Sequence, residues 1–109
     1  MNEAIVKKIQ RRRRQILVHS YMYYELNDST IDDATWTARA LELETLQRDY
    51  PEESRAAKYF EEFKDFDHST GADLDYFKDW VIRDALLLLD TRDMPNPRTK
   101  WRQKRKRNL

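Results

Sequence analysis

The 109-residue chain has no cysteine, one glycine and three prolines. Without cysteine there is no disulfide, no thiolate zinc ligand and no cysteine nucleophile. The lone Gly71 cannot build a glycine-rich phosphate loop, and it leaves little material for tight hairpin turns. Histidine occurs only at His19 and His68, which is sparse for a metal set. Long apolar runs are also missing. The longest, Ala85 to Leu89, is far short of the roughly 20 residues that span a bilayer. No apolar stretch follows Met1-Asn2-Glu3, as a secretory leader would require. The expectation is a soluble, cytoplasmic protein with no membrane partner, built from helices.

Charge is what the chain has in abundance. Charged residues make up 38% of it, against 39% hydrophobic, so the core must be thin. Charge is also unevenly placed. Residues 1–14 hold six basic groups and one acid, residues 15–97 eight and nineteen, and residues 98–109 seven and none. An acidic body therefore lies between two basic ends, which either fold back on it or meet partners of their own.

Apolar spacing predicts four main helices in one domain over residues 1–90. The first runs from about Glu3 to Leu26, with Ile5, Ile9, Ile16 and Tyr23 on one stripe, widened by Val6, Leu17 and Tyr24. Arg11 and Arg14 point away from that stripe. Arg13 lies on it, either snorkelling with its head in water or aimed at an anion beside the tyrosines. Asn27 to Thr30 form a turn, and Asp32 or Asp33 caps the second helix. Trp36, Ala40, Leu43, Leu46 and Tyr50 make its buried stripe, and Pro51 ends it or opens the third. The third helix spans about Glu52 to Phe63, with Ala56, Tyr59, Phe60 and Phe63 inward. The fourth spans about Leu74 to Leu89, capped by Asp73, with Leu74, Phe77, Val81, Ala85 and Leu88 inward. Residues 91–109 read as a mobile basic tail. The fold expected is thus an all-α bundle on an N-terminal helical hairpin.

Catalytic motifs do not emerge. The acids from Asp65 onward mimic a calcium loop, but glycine is seventh where sixth is needed, and the twelfth residue is Tyr76 rather than glutamate. No Ser-His-Asp set or P-loop can be assembled, so the chain is not expected to be an enzyme. The polyanion-binding candidates are Arg11, Arg12, Arg13 and Arg14, and in the tail Lys100, Arg102, Lys104, Arg105, Lys106 and Arg107, with Trp101 available for stacking.

The hairpin carries a more specific pattern. It reads Tyr21-Met22-Tyr23-Tyr24, then Ile31-Asp32-Asp33-Ala34-Thr35-Trp36-Thr37, then Glu42-Leu43, Leu46-Gln47 and Pro51. This resembles the N-terminal Ia domain of NAD-dependent DNA ligases, whose pattern is Y-x-Y-[YH], I-x-D-A-x-Y-D and E-L…L-E…P. The resemblance covers about residues 12–52. It implies a pocket for nicotinamide mononucleotide (NMN), or the NMN half of NAD. Tyr23 and Tyr24 would be its aromatic contacts, and Asp33 the acid near ribose or phosphate. Trp36 and Thr37 stand where the family has tyrosine and aspartate. No K-x-D-G nucleotidyl-transfer motif is present, and the nearest string, Lys64-Asp65-Phe66-Asp67, does not fit.

Three functional expectations follow. One is a non-catalytic, ligase-related module, similar to small phage proteins, that binds NMN or NAD through Tyr23, Tyr24, Asp33 and Trp36. Another is a small phage-encoded interaction protein that binds and inhibits a host enzyme, such as a defence-system nuclease (an anti-CRISPR type). The third is a nucleic-acid-binding accessory using the basic ends. Tyr23 and Trp36 sit on apolar stripes, so core packing and ligand contact both remain open for them.

Overall fold

The computed structural model describes residues 1–28, 30–69 and 74–93. It contains five helices: α1 (Glu3–Glu25), α2 (Asp33–Asp49), α3 (Pro51–Ala56), α4 (Phe60–Phe63) and α5 (Asp79–Asp93). Among the described residues there is no strand, and no helix is long and apolar enough to cross a membrane. The all-α expectation holds. Of the tail expected over 91–109, residues 91–93 belong to α5; the rest, with its candidate contacts Lys100, Trp101, Arg102, Lys104, Arg105, Lys106 and Arg107, and the Asp73 cap lie outside the described residues.

Local chemistry sets the hairpin. Asn2 caps α1, its side chain accepting from the Ala4 and Ile5 N–H groups at 3.0 and 3.3 Å. α1 ends at Glu25 with Leu26 as its C-cap, and Asn27 then turns left-handed at φ 52°, a conformation asparagine tolerates. The Asp28 N–H returns to the Met22 carbonyl at 3.1 Å. Asp32 caps α2 by accepting the Thr35 N–H at 2.7 Å. Pro51 occupies the first turn of α3, where its missing N–H costs nothing. An Arg12 pair with Glu42 at 3.0 Å, joined by Lys8 at 3.4 Å, ties α1 to α2.

α1 is the central strut: α2, α3 and α5 all pack on it. Ile9, Ile16, Leu17 and Met22 of α1 meet Ala40 and Leu43 of α2, Ala57, Phe63 of α4, and Val81 and Ala85 of α5. Each large member of that set contributes about 1.5–3 kcal/mol of transfer free energy.

Two helices depart from expectation. The third does not run from Glu52 to Phe63. It breaks after Ala56, and Tyr59 adopts a left-handed φ of 69°, which is unusual for an aromatic residue. Ala57 is buried rather than Ala56. The fourth begins at Asp79, not Leu74, and residues 74–78 are non-helical, so Phe77 is 63% exposed.

The cause of the first break is Arg13. Its side chain is fully buried and neither snorkels nor meets an anion, so both expectations for it fail. Its five N–H donors are all satisfied. Nε donates to Gln47 Oε1, Nη1 to the Ala57 and Lys58 carbonyls, and Nη2 to the Ser54 carbonyl and Oγ, at 2.7–3.1 Å. Those carbonyls are the ones a continuing helix would consume, so the guanidinium terminates α3 in their place. The Phe63 ring covers it, 5.9 Å from centroid to guanidinium carbon. Burial pushes the group down to about 10, with Glu62 opposing, and it stays cationic at neutral pH.

Candidate functional site

At the closed end of the hairpin, a cavity of about 300 Å3 opens between α1 and α2. Tyr23, Tyr24, Asp33 and Trp36, the four residues singled out from the sequence, all line it. Thr37 and Ile31 complete the α2 side. The two tyrosines do not join the core. Tyr23 is 52% and Tyr24 43% exposed, and Met22 takes the buried position. Their rings meet edge to face at 4.9 Å. Tyr24 also lies parallel to Tyr76 at 6.4 Å, which fixes the outer wall. Tyr76 in turn donates to Glu25 at 3.3 Å. Trp36 is half-buried, packed on the core while its face reaches the cavity.

The neighbouring acids divide their work. Asp32 serves the helix, and hydrogen bonds from Thr35 hold its carboxyl below the usual range. Asp33, in the first turn of α2, is exposed and makes no ion pair or side-chain hydrogen bond among the described residues. Its carboxylate is free to accept donors from a ligand. A flat aromatic face beside two acids suits a planar, cationic or hydroxyl-bearing molecule.

Three lining residues escaped the sequence reading. His68 and Ser69 belong to the segment after α4, held over the cavity by a His68 Nδ1 contact with Glu44 Oε2 at 2.8 Å. No local signal placed them there. His19 lies one helical turn before Tyr23 on the same face, a spacing that could have found it. It is buried, its Nδ1 has no hydrogen-bond partner among the described residues, and it also reaches a second cavity on the other side of α1. Burial, helped by nearby Arg39, pushes it down from 6.5 to about 4.

That shift has a pH consequence. Between about 6.5 and 4 the unfolded chain takes up a proton that folded His19 refuses, so stability falls as pH drops through this window. Urea unfolding at pH 7 and pH 4.5 is expected to show a loss of up to about 3 kcal/mol. A His19→Gln variant should lose much of that difference.

The arginine run is divided in the same way. Arg12 pairs with Glu42, and Arg13 is buried and so withdrawn from the polyanion contacts expected of the run. Arg11 and Arg14 remain on the surface. Among the described residues, no group of three or more His, Asp or Glu side chains is placed to hold a metal.

Comparison with known proteins bears on the pocket half of the chain. Two bacterial proteins named DNA ligase are similar to it. The one from Porphyromonas gingivalis is 44% identical over 45 residues, 41% of this chain and 7% of that protein. The one from Coxiella burnetii is 44% identical over 48 residues, 44% of this chain and 7% of that protein. The chain thus spans under a tenth of the length of these relatives. No solved structure gives a significant match. Residues 2–57, just over half of the chain, match the model of the family described as "DNA ligase-like, N-terminal NAD+-binding domain". The chain belongs to that family.

Proposed function

We propose that the protein is a non-catalytic, ligase-related module that binds the NMN half of a nicotinamide nucleotide in the hairpin cavity. The observation carrying this reading is the convergence of Tyr23, Tyr24, Asp33 and Trp36 on one cavity of about 300 Å3. That volume is at the small end of ligand sites, in keeping with a mononucleotide rather than a whole dinucleotide. The oxidised nicotinamide ring is flat and positively charged. An aromatic wall attracts such a ring through its quadrupole, and the adjacent carboxylates add Coulomb attraction. Asp33 accepts hydrogen bonds from the ribose hydroxyls.

Family membership supports a nucleotide at this place. No lysine in a K-x-D-G string is present in residues 1–109, so the chain holds no group for the adenylyl-transfer step. The reading is therefore one of binding rather than turnover.

Thr37 provides a direct test. It is exposed at the cavity wall, where the resembled pattern has aspartate. A second carboxylate there would add a charge-assisted hydrogen bond, about 1.5–3 kcal/mol. Thr37→Asp is expected to tighten NMN binding about tenfold to a hundredfold by calorimetry. Unchanged affinity would count against NMN in this cavity.

A further inference from the structure

α1 and α5 run antiparallel. Tyr21 meets Tyr76 and Phe77, and Arg14 meets Trp80 and Asp84 further along α5. Beyond that crossing, toward the start of α1 and the end of α5, the two helices flank a groove of about 520 Å3. Lys7, Arg11 and Arg14 line its α1 side, and Leu87 and Leu88 its α5 side. The three cations follow i, i+4, i+7 spacing, so they share one face and span about 10 Å of helix. Asp84 is the one acid in the lining, 3.9 Å from Arg14. Among the described residues, Lys7 and Arg11 have no ion-pair partner.

We infer that this groove binds the sugar–phosphate backbone of a nucleic acid, with Lys7, Arg11 and Arg14 as its phosphate contacts. The antiparallel packing brings the end of α5 to the end of the molecule that carries residues 1–14. From there the sequence continues into residues 98–109, with seven basic groups and no acid. Residues 98–109 lie outside the described residues, and what they add is charge of the same sign as the α1 cations. An acidic, leucine-bearing protein helix would satisfy three cations and the exposed leucines, but would leave the seven further cations unmatched. A polyanion of regular charge matches both. Residues 15–97 carry nineteen acids against eight basic groups, an excess of negative charge that disfavours such a strand away from the basic segments.

The test uses the full chain and fluorescence anisotropy with a labelled 20-nucleotide single strand and the corresponding duplex. Salt is varied from about 50 to about 200 mM. Each phosphate contact contributes about 0.7 (single strand) or 0.9 (duplex) to the slope of log affinity against log salt. The triple variant Lys7→Gln, Arg11→Gln, Arg14→Gln is expected to lower that slope by about 2–3 and to weaken binding at least tenfold at low salt. A charge-matched control, Arg48→Gln, Arg55→Gln, Lys64→Gln, removes cations that line a separate cavity by α2 and α3. It should leave the slope within about 0.5 of the original. Equal losses in both triples, an unchanged slope in the groove variant, or no binding of either oligonucleotide at about 50 mM salt would overturn the inference.

Discussion

Arg13→Ala is expected to remove about 3–5 kcal/mol of folding stability, lowering the melting temperature by on the order of 20 °C. The side chain is fully buried, and five donors tie it to Gln47, Ser54, Ala57 and Lys58. Truncation leaves three backbone carbonyls without their donor in a dry site, and it opens a cavity against Phe63. Arg13→Lys should recover little. An ammonium has three donors on a flexible stem, against five in a planar fork, and cannot reach both sides of the α3 terminus at once. Arg13→Met separates charge from volume, since it fills much of the space but still strands the carbonyls. Thermal melts of the three variants should therefore fall in one group, well below the parent. Parent-like stability in Arg13→Lys would mean that positive charge alone, not the fork, ends α3.

The second large effect concerns the cavity. Asp33→Asn is expected to weaken NMN binding about tenfold to a hundredfold, the worth of a charge-assisted hydrogen bond plus attraction to the cationic ring. Stability should change by no more than about 0.5 kcal/mol, because the exposed Asp33 has no partner among the described residues and the capping is done by its neighbour. Asp32→Ala should behave in the opposite way. It costs about 1 kcal/mol as a lost cap, with a smaller effect on affinity. Trp36→Ala lies between, since Trp36 packs on the core as well as facing the cavity, and is expected to reduce both stability and affinity. Calorimetry and melts on the same three preparations separate the roles. A parent-like NMN affinity in Asp33→Asn would remove that residue from the site.

These two cases also mark what was legible in the sequence. Asp33 could be found because the ligase-like pattern that implies its role is carried by neighbouring residues. A cap, a first-turn acid and an aromatic one turn later sit within a few residues, and the flanking hairpin follows from helical spacing. The same holds for the Pro51 start of α3 and the outward direction of Arg11 and Arg14. Arg13 could not be read that way. Spacing put it on the inner stripe, but its partners come 34 to 45 residues later. A break imposed by a distant guanidinium leaves no mark in the apolar period of residues 52–63, so one helix was expected where α3 and α4 stand. Residues 74–78 misled for a related reason. Leu74 and Phe77 have helical spacing, yet Tyr76 is the residue that turns inward, to meet Tyr21, Tyr24 and Glu25. The tyrosines show the limit of the stripe argument. Tyr23 has the period of a core residue and is half exposed, because Met22 fills the interior in its place.

Direct calorimetric titration of the protein with NMN and NAD, with AMP alongside, tests the central claim most directly. Saturable binding of NMN and NAD, none of AMP, and loss of the NMN signal in Asp33→Asn is the expected result. No heat from NMN at millimolar concentration, or equal binding of AMP, would contradict a nicotinamide-nucleotide site between Tyr24 and Trp36.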